Sequence, residues 1–298
     1  MSSAIVCEAP AKLNLGLEVL GRREDGLHEL VSIMVNIDLF DEVRLSNLPR
    51  EKSEVGVTGP YAAWTPADPA SELASRALRA LELRAARGSG WSVEIEKRIP
   101  VGAGLGGGSA DAAAVLRAAA NLGVDLPADE LGAVALELGA DVPFQLSGGA
   151  ALVRGVGEIL EPLPVPELWA AVVFPGIEIS TAAVFGELKQ EEWGTGRMIE
   201  AAARFVADGG GAGALTRLPN SLLAPATRLY PELAERVAEL RQKGWEPRLT
   251  GTGSALFQVC FDRAEAEALA VRTWDMGLRA WAVHAIGAPP AQRLPAAQ

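Results

Sequence analysis

The chain has 298 residues, 49% hydrophobic and 22% charged, the balance of an average soluble protein with room for one large or two ordinary domains. A net charge of −11 without a lysine-rich tract excludes general attraction to nucleic acid or acidic membranes, so an anionic ligand must be met by local donors. Cys7 and Cys260 cannot make a disulfide framework, and neither a signal peptide nor an apolar run of spanning length is visible, which points to a cytoplasmic protein.

Residues 13–20 alternate as a strand, 22–26 form a polar turn, and 30–39 and 41–45 read as two further strands. A helix is expected over 71–87, from apolar positions recurring at three and four, and a half-buried strand over 91–97. Strong helix formers fill 111–122 with Gly123 at their end, and a second helix over 128–138 closes at Gly139. Residues 150–153 and 158–160 suggest a short β pair around Gly155 and Gly157. The proline-rich stretch 161–166 then marks a boundary between domains 1–160 and 161–298. Beyond it come a buried strand at 169–174 and helices at 180–188, 197–207 and 231–242. The order then runs strand (246–249), strand (255–261), helix (264–274) and strand (278–284), which suggests an antiparallel sheet with helices on one face. Residues 289–298 read as a frayed tail.

Between the strand at 91–97 and the helix from 111 lies Pro-Val-Gly-Ala-Gly-Leu-Gly-Gly-Gly-Ser-Ala, with glycine at five of its eleven positions. A loop of this kind opening a helix presents free N–H groups and the positive end of the helix dipole to one point, an arrangement that suits phosphate. A glycine cluster can equally be a plain turn or linker, as 209–213 reads; the flanking strand and helix favour the phosphate reading here. The Gly-x-x-x-x-Gly-Lys-Ser/Thr signature is missing. A Gly-x-Gly-x-x-Gly reading at Gly102, Gly104 and Gly107 lacks the acidic residue of a dinucleotide site.

Lys12 stands inside an apolar strand, where it is either an edge residue reaching water or half of a polar pair with Asn14, which points to the same side. Asp141, between a helix end and a proline, is either a turn aspartate or a reactive carboxylate. His28, His284 and the cysteines have no metal spacing, so no protein-held metal site is expected, and no Gly-x-Ser-x-Gly elbow suggests a hydrolase. Residues 249–255 form a second glycine loop, a hairpin turn or a ligand contact.

Together these motifs resemble the superfamily of galactokinase, homoserine kinase, mevalonate kinase and phosphomevalonate kinase. The resemblance rests on Ala9-Pro-Ala-Lys-Leu-Asn-Leu, Asp25-Gly-Leu-His-Glu, the 97–113 glycine segment, Leu138-Gly-Ala-Asp-Val-Pro-Phe, Arg154-Gly-Val-Gly-Glu and Leu249-Thr-Gly-Thr-Gly-Ser. It implies an α/β (α+β), two-domain small-molecule kinase fold with a ferredoxin-like C-terminal domain. It further implies a branch in which ATP, carrying Mg²⁺, phosphorylates the 2-hydroxyl of a cytidine diphosphate-linked methylerythritol in the non-mevalonate isoprenoid route. Asp141 would match the family's base and Lys12 the cation beside it. ATP would be bound by Pro100, Val101, Gly102, Ala103, Gly104, Leu105, Gly106, Gly107, Gly108, Ser109 and Ala110, with Lys97. Asn14, His28, Thr181, Phe185, Thr250 and Gly251 would match the substrate-binding positions, His28 and Phe185 at the cytosine. Leu27 and Glu72 depart from the pattern: a tyrosine and an adenine-contacting asparagine are frequent there. The rival readings are a mevalonate or homoserine kinase, or a non-catalytic nucleotide-binding protein on the same fold; the motifs leave the oligomeric state open.

Overall fold

The computed structural model describes residues 4–48, 53–68, 71–84 and 90–287. It begins with a long antiparallel hairpin of β1 (Ile5–Arg22) and β2 (His28–Leu48), in which Lys12 stands opposite Asn36. The register shifts between Pro10 and Ala11 and again between Asn14 and Gly16, so irregular pairing brackets the Lys12–Asn14 segment. Where two strands were expected, at 30–39 and 41–45, β2 runs through unbroken. Asp41 does not break it, because its fully buried carboxylate accepts from the backbone N–H groups of Arg98 (2.6 Å) and Ile99 (2.8 Å).

There follow β3 (Glu54–Thr58), α1 (Leu73–Glu82) and β4 (Gly90–Glu96), with β3 parallel to β4. Glu72 caps α1, accepting from the N–H groups of Ala74 and Ser75, so the helix starts later than position 71; residues 85–87 lie outside the described ones. Next come α2 (Gly107–Arg117), α3 (Ala128–Leu138), α4 (Val142–Ser147), β5 (Ala150–Gly155) and β6 (Ile159–Leu163). Helix α2 begins inside the glycine run rather than at Asp111. Its Ala110, Ala112, Ala113 and Ala114 are fully buried, and such small side chains let the helix approach β1 and β2 closely.

The C-terminal half contains β7 (Trp169–Phe174), α5 (Thr181–Glu187), α6 (Arg197–Ala207), α7 (Leu223–Leu229) and α8 (Pro231–Gln242). It closes with β8 (Arg248–Leu249), β9 (Leu256–Cys260), α9 (Arg263–Val271) and β10 (Arg279–Ile286). The spatial order β10-β7-β9-β8, antiparallel throughout, is ferredoxin-like. Strand β10 also pairs with β2 through Ala285 and Ile286, joining the two halves in one ten-stranded sheet, with β1, β5 and β6 branching from β2. The expected tail at 289–298 lies outside the described residues. No helix among the described residues is long and apolar enough to cross a membrane.

Candidate active site

Two cavities meet at the glycine loop. One, of about 350 Å³, is lined by Lys12, Asn14, Ser32, Asp141, Phe185 and Thr252 among others. The other, of about 390 Å³, lies between Val57, Glu72, Ile95 and Lys97 on one side and the loop on the other. Gly102, Gly104, Ser109 and Thr181 line both.

The loop is held open by its contacts. The first intrahelical bond of α2 runs from Ala110 N–H to Gly106 O (2.9 Å), which leaves the N–H groups of Gly107, Gly108 and Ser109 without intrahelical acceptors. Those donors, together with the helix dipole, make an anion site. Gly104 (φ +76°) rests on the second glycine loop, where an added Cβ would come within 2.2 Å of Thr250 O. Ala255 N–H donates to Ala103 O at 3.0 Å, and Lys12 N–H to Leu105 O at 2.8 Å. Leu105 and Ala110, expected among the ATP-binding residues, are fully buried and line neither cavity. Their side chains fill the core and the Ala110 amide already closes the helix.

Lys12 is 3% exposed, so it is not an edge side chain extended into bulk water, and it lines the first cavity. Its Nζ donates to Asn14 Oδ1 at 2.5 Å and lies 3.4 Å from Asp141 Oδ2. Asn14 is fixed in turn, with Nδ2 donating to Ser32 Oγ (2.8 Å) and its N–H to Thr250 Oγ1 (3.0 Å). Asp141 precedes α4 without capping it, and its carboxylate, 37% exposed, faces the first cavity. An ammonium and an accessible carboxylate thus face the first cavity, beside the glycine loop that both cavities share.

Lys97 lines the second cavity, but its Nζ is held by the carboxylates of Asp41 and Asp111, all three groups being buried. Burial alone would push the Lys97 ammonium down; Asp111 and Asp41 outweigh it and hold it above the ordinary lysine range. Burial pushes the Asp111 carboxyl up, against the pull of Lys97.

Phe185 lines the first cavity and its ring packs on His28, with centroids 5.1 Å apart at 33°. Burial, then the Arg22 guanidinium, holds His28 below its ordinary value, which favours the neutral imidazole. Thr181 and Gly251 reach the first cavity, whereas Thr250 is fully buried and ties β1 to the loop. Sequence reasoning missed Ser32, Met34 and Thr252, which also line it; the Thr252 hydroxyl lies 3.1 Å from that of Thr181. The alternation of β2 places Leu30, Ser32 and Met34 on one face, a signal that becomes readable once that face is known.

The descriptions "GHMP kinases N terminal domain" and "GHMP kinases C terminal" match residues 72–149 and 198–272. The 4-diphosphocytidyl-2-C-methyl-D-erythritol kinase of Thermus thermophilus is 41% identical over 280 residues, covering 92% of this chain and 94% of its own. That of Paracoccus denitrificans is 42% identical over 288 residues, covering 95% and 97%. A crystal structure of 4-(cytidine 5'-diphospho)-2C-methyl-D-erythritol kinase superposes with a TM-score of 0.77 at 38% identity, over 95% of this chain and 99% of the other. With both family domains matched and such relatives over nearly its whole length, the chain belongs to the GHMP kinase family, among its 4-diphosphocytidyl-2-C-methyl-D-erythritol kinases.

Proposed function

We propose that this cytoplasmic kinase transfers the terminal phosphoryl group of ATP to the 2-hydroxyl of 4-diphosphocytidyl-2-C-methyl-D-erythritol, in the non-mevalonate route to isoprenoid precursors. The observation that carries this reading is the junction of two cavities at one phosphate-type loop, with Lys12 and Asp141 beside it. ATP occupies the cavity bounded by Glu72 and Lys97, its phosphates on the N–H groups of Gly107, Gly108 and Ser109. The cytidine substrate occupies the other, its cytosine near His28 and Phe185 and its polyol between Asn14, Thr181 and Gly251. Residues 1–160 supply nearly all of the nucleotide cavity together with Lys12, Asn14 and Asp141, and 161–298 add Thr181, Phe185, Gly251 and Thr252 to the acceptor cavity, with β6 crossing the division.

Asp141 takes the hydroxyl proton as the oxygen attacks, and the Lys12 ammonium balances charge on the transferring group. A loose phosphoryl transition state needs this positioning and charge stabilisation more than covalent chemistry. Among the described residues no cluster of three or more His, Cys, Asp or Glu could hold a metal ion, and Asp41 and Asp111 are engaged by Lys97. Mg²⁺ would come with ATP and neutralise phosphate charge, and Ser109, which lines both cavities, would be among the residues that hold it.

The test is a phosphate-transfer assay with ATP and the cytidine substrate, with mevalonate and homoserine as controls. Turnover is expected with the first acceptor alone. Asp141→Asn should lower kcat by ~10²–10⁴-fold with ATP affinity retained. A variant keeping a third of wild-type turnover would remove Asp141 as the base.

A further inference from the structure

Gln145 lies one turn beyond Asp141 in α4, and its N–H donates to Asp141 O at 3.0 Å. Its side-chain Oε1 accepts from Asn36 Nδ2 at 2.9 Å, and both residues are fully buried. Asn36 is the cross-strand neighbour of Lys12, and its Nδ2 also donates to Ala11 O at 3.2 Å. From its other side Asn36 Oδ1 accepts from Gly149 N–H (2.9 Å), just past the end of α4. A Cβ on Gly106 would meet Lys12 Cγ at 2.9 Å and Gln145 Nε2 at 3.1 Å. One buried amide pair therefore joins the strand carrying Lys12, the helix following Asp141 and the glycine loop.

Packing alone does not call for an amide here. Gln145 Nε2 is a buried donor without an acceptor, and an apolar side chain of the same size would avoid that penalty. Helix α4 has six residues, too few to hold its own direction, so its orientation depends on ties to its neighbours. Neither Asn36 nor Gln145 lines either of the two cavities.

We propose that the Asn36–Gln145 hydrogen bond positions Asp141 against Lys12, making Gln145 a positioning residue for phosphoryl transfer; this rests on the reading of Asp141 as the base. A small displacement of a reacting group costs about 10²-fold in rate. Gln145→Met keeps the length of the side chain and removes the acceptor. It should lower kcat by about ten- to a hundredfold, with KM for ATP and for the cytidine substrate within about twofold of wild type. In an Asp141→Asn background the same substitution should cause little further loss, because there is no longer a base to place.

Equal losses in both backgrounds, or a raised KM with kcat unchanged, would overturn the proposal. Should Gln145→Met not fold, Asn36→Ser breaks the same bond from β2 and is read by the same quantities; failure of both to fold would assign the pair to stability alone. An active Asp141→Asn would sink the base assignment itself. An inactive Asp141→Asn beside a fully active Gln145→Met would sink only the role of the pair.

Discussion

The backbones of Gly104 and Thr250 are interlocked: a β-carbon on Gly104 would stand 2.2 Å from the carbonyl oxygen of Thr250, and the Thr250 hydroxyl donates to Gly104 O at 3.3 Å. The two glycine loops therefore form one unit, although 146 positions separate these residues. Gly104→Ala should both strain a φ of +76° and force the two loops apart. Gly102→Ala meets nothing within 4 Å and should cost only the left-handed strain, ~1–2 kcal/mol. Thermal melts of the two variants decide the matter; equal melting temperatures would show that the loops are not locked together.

Lys12→Met should reduce kcat by ~10²–10³-fold, the usual loss when a preorganised donor at developing charge is removed. Its Nζ donates to Asn14 Oδ1 and lies 3.4 Å from Asp141 Oδ2, and the methionine retains the packing of the stem. Steady-state kinetics beside a melting curve separate chemistry from folding. A variant of normal stability and at least a tenth of normal kcat would make Lys12 a packing residue.

Lys97→Met should act on stability before it acts on ATP. It leaves the buried carboxylates of Asp41 and Asp111 facing one another without their shared cation, and breaking such a group typically costs ~3–5 kcal/mol. Adding Asp111→Asn should recover part of that loss. Urea midpoints report both effects, and an unchanged midpoint in Lys97→Met would show that the ion network contributes nothing.

Leu27→Tyr should tighten the cytidine substrate by a few-fold, about 1 kcal/mol, while ATP affinity stays the same. Leu27 is 53% exposed and next to His28, whose ring already packs on Phe185, so the larger side chain has room and does not overpack the core. Calorimetric titration with the cytidine substrate measures the gain. A stable variant with no gain places the cytosine away from residue 27.

Much of this site was legible because its parts are local. Period-two alternation put Lys12 and Asn14 on one face, and the strand–glycine–helix order singled out the glycine loop that lines both cavities. The role of Asp41 was not legible. Within the strand it reads as a break, and the groups that stabilise it come from Lys97, Arg98 and Ile99, far along the chain. Helix α4 was missed because six residues containing Pro143 carry no helical period. Thr252 and Ser32 escaped for a third reason: which hydroxyls face a cavity depends on how distant loops pack, as the contact between Thr181 and Thr252 illustrates.

The seating of Gly104 on residues 250–255 also bears on how the protein is made. During synthesis Lys12, the glycine loop and Asp141 leave the ribosome well before the loop that supports them. The two residues of β10 that close the sheet onto β2, beside the strand position opposite Lys12, emerge later still. Contacts of such long sequence separation are slow to form because loop-closure entropy has to be overcome first. A nascent or truncated chain ending before residue 250 carries both Lys12 and Asp141 yet has no floor beneath its first glycine loop. Catalytic competence is thus a late event in the life of each molecule.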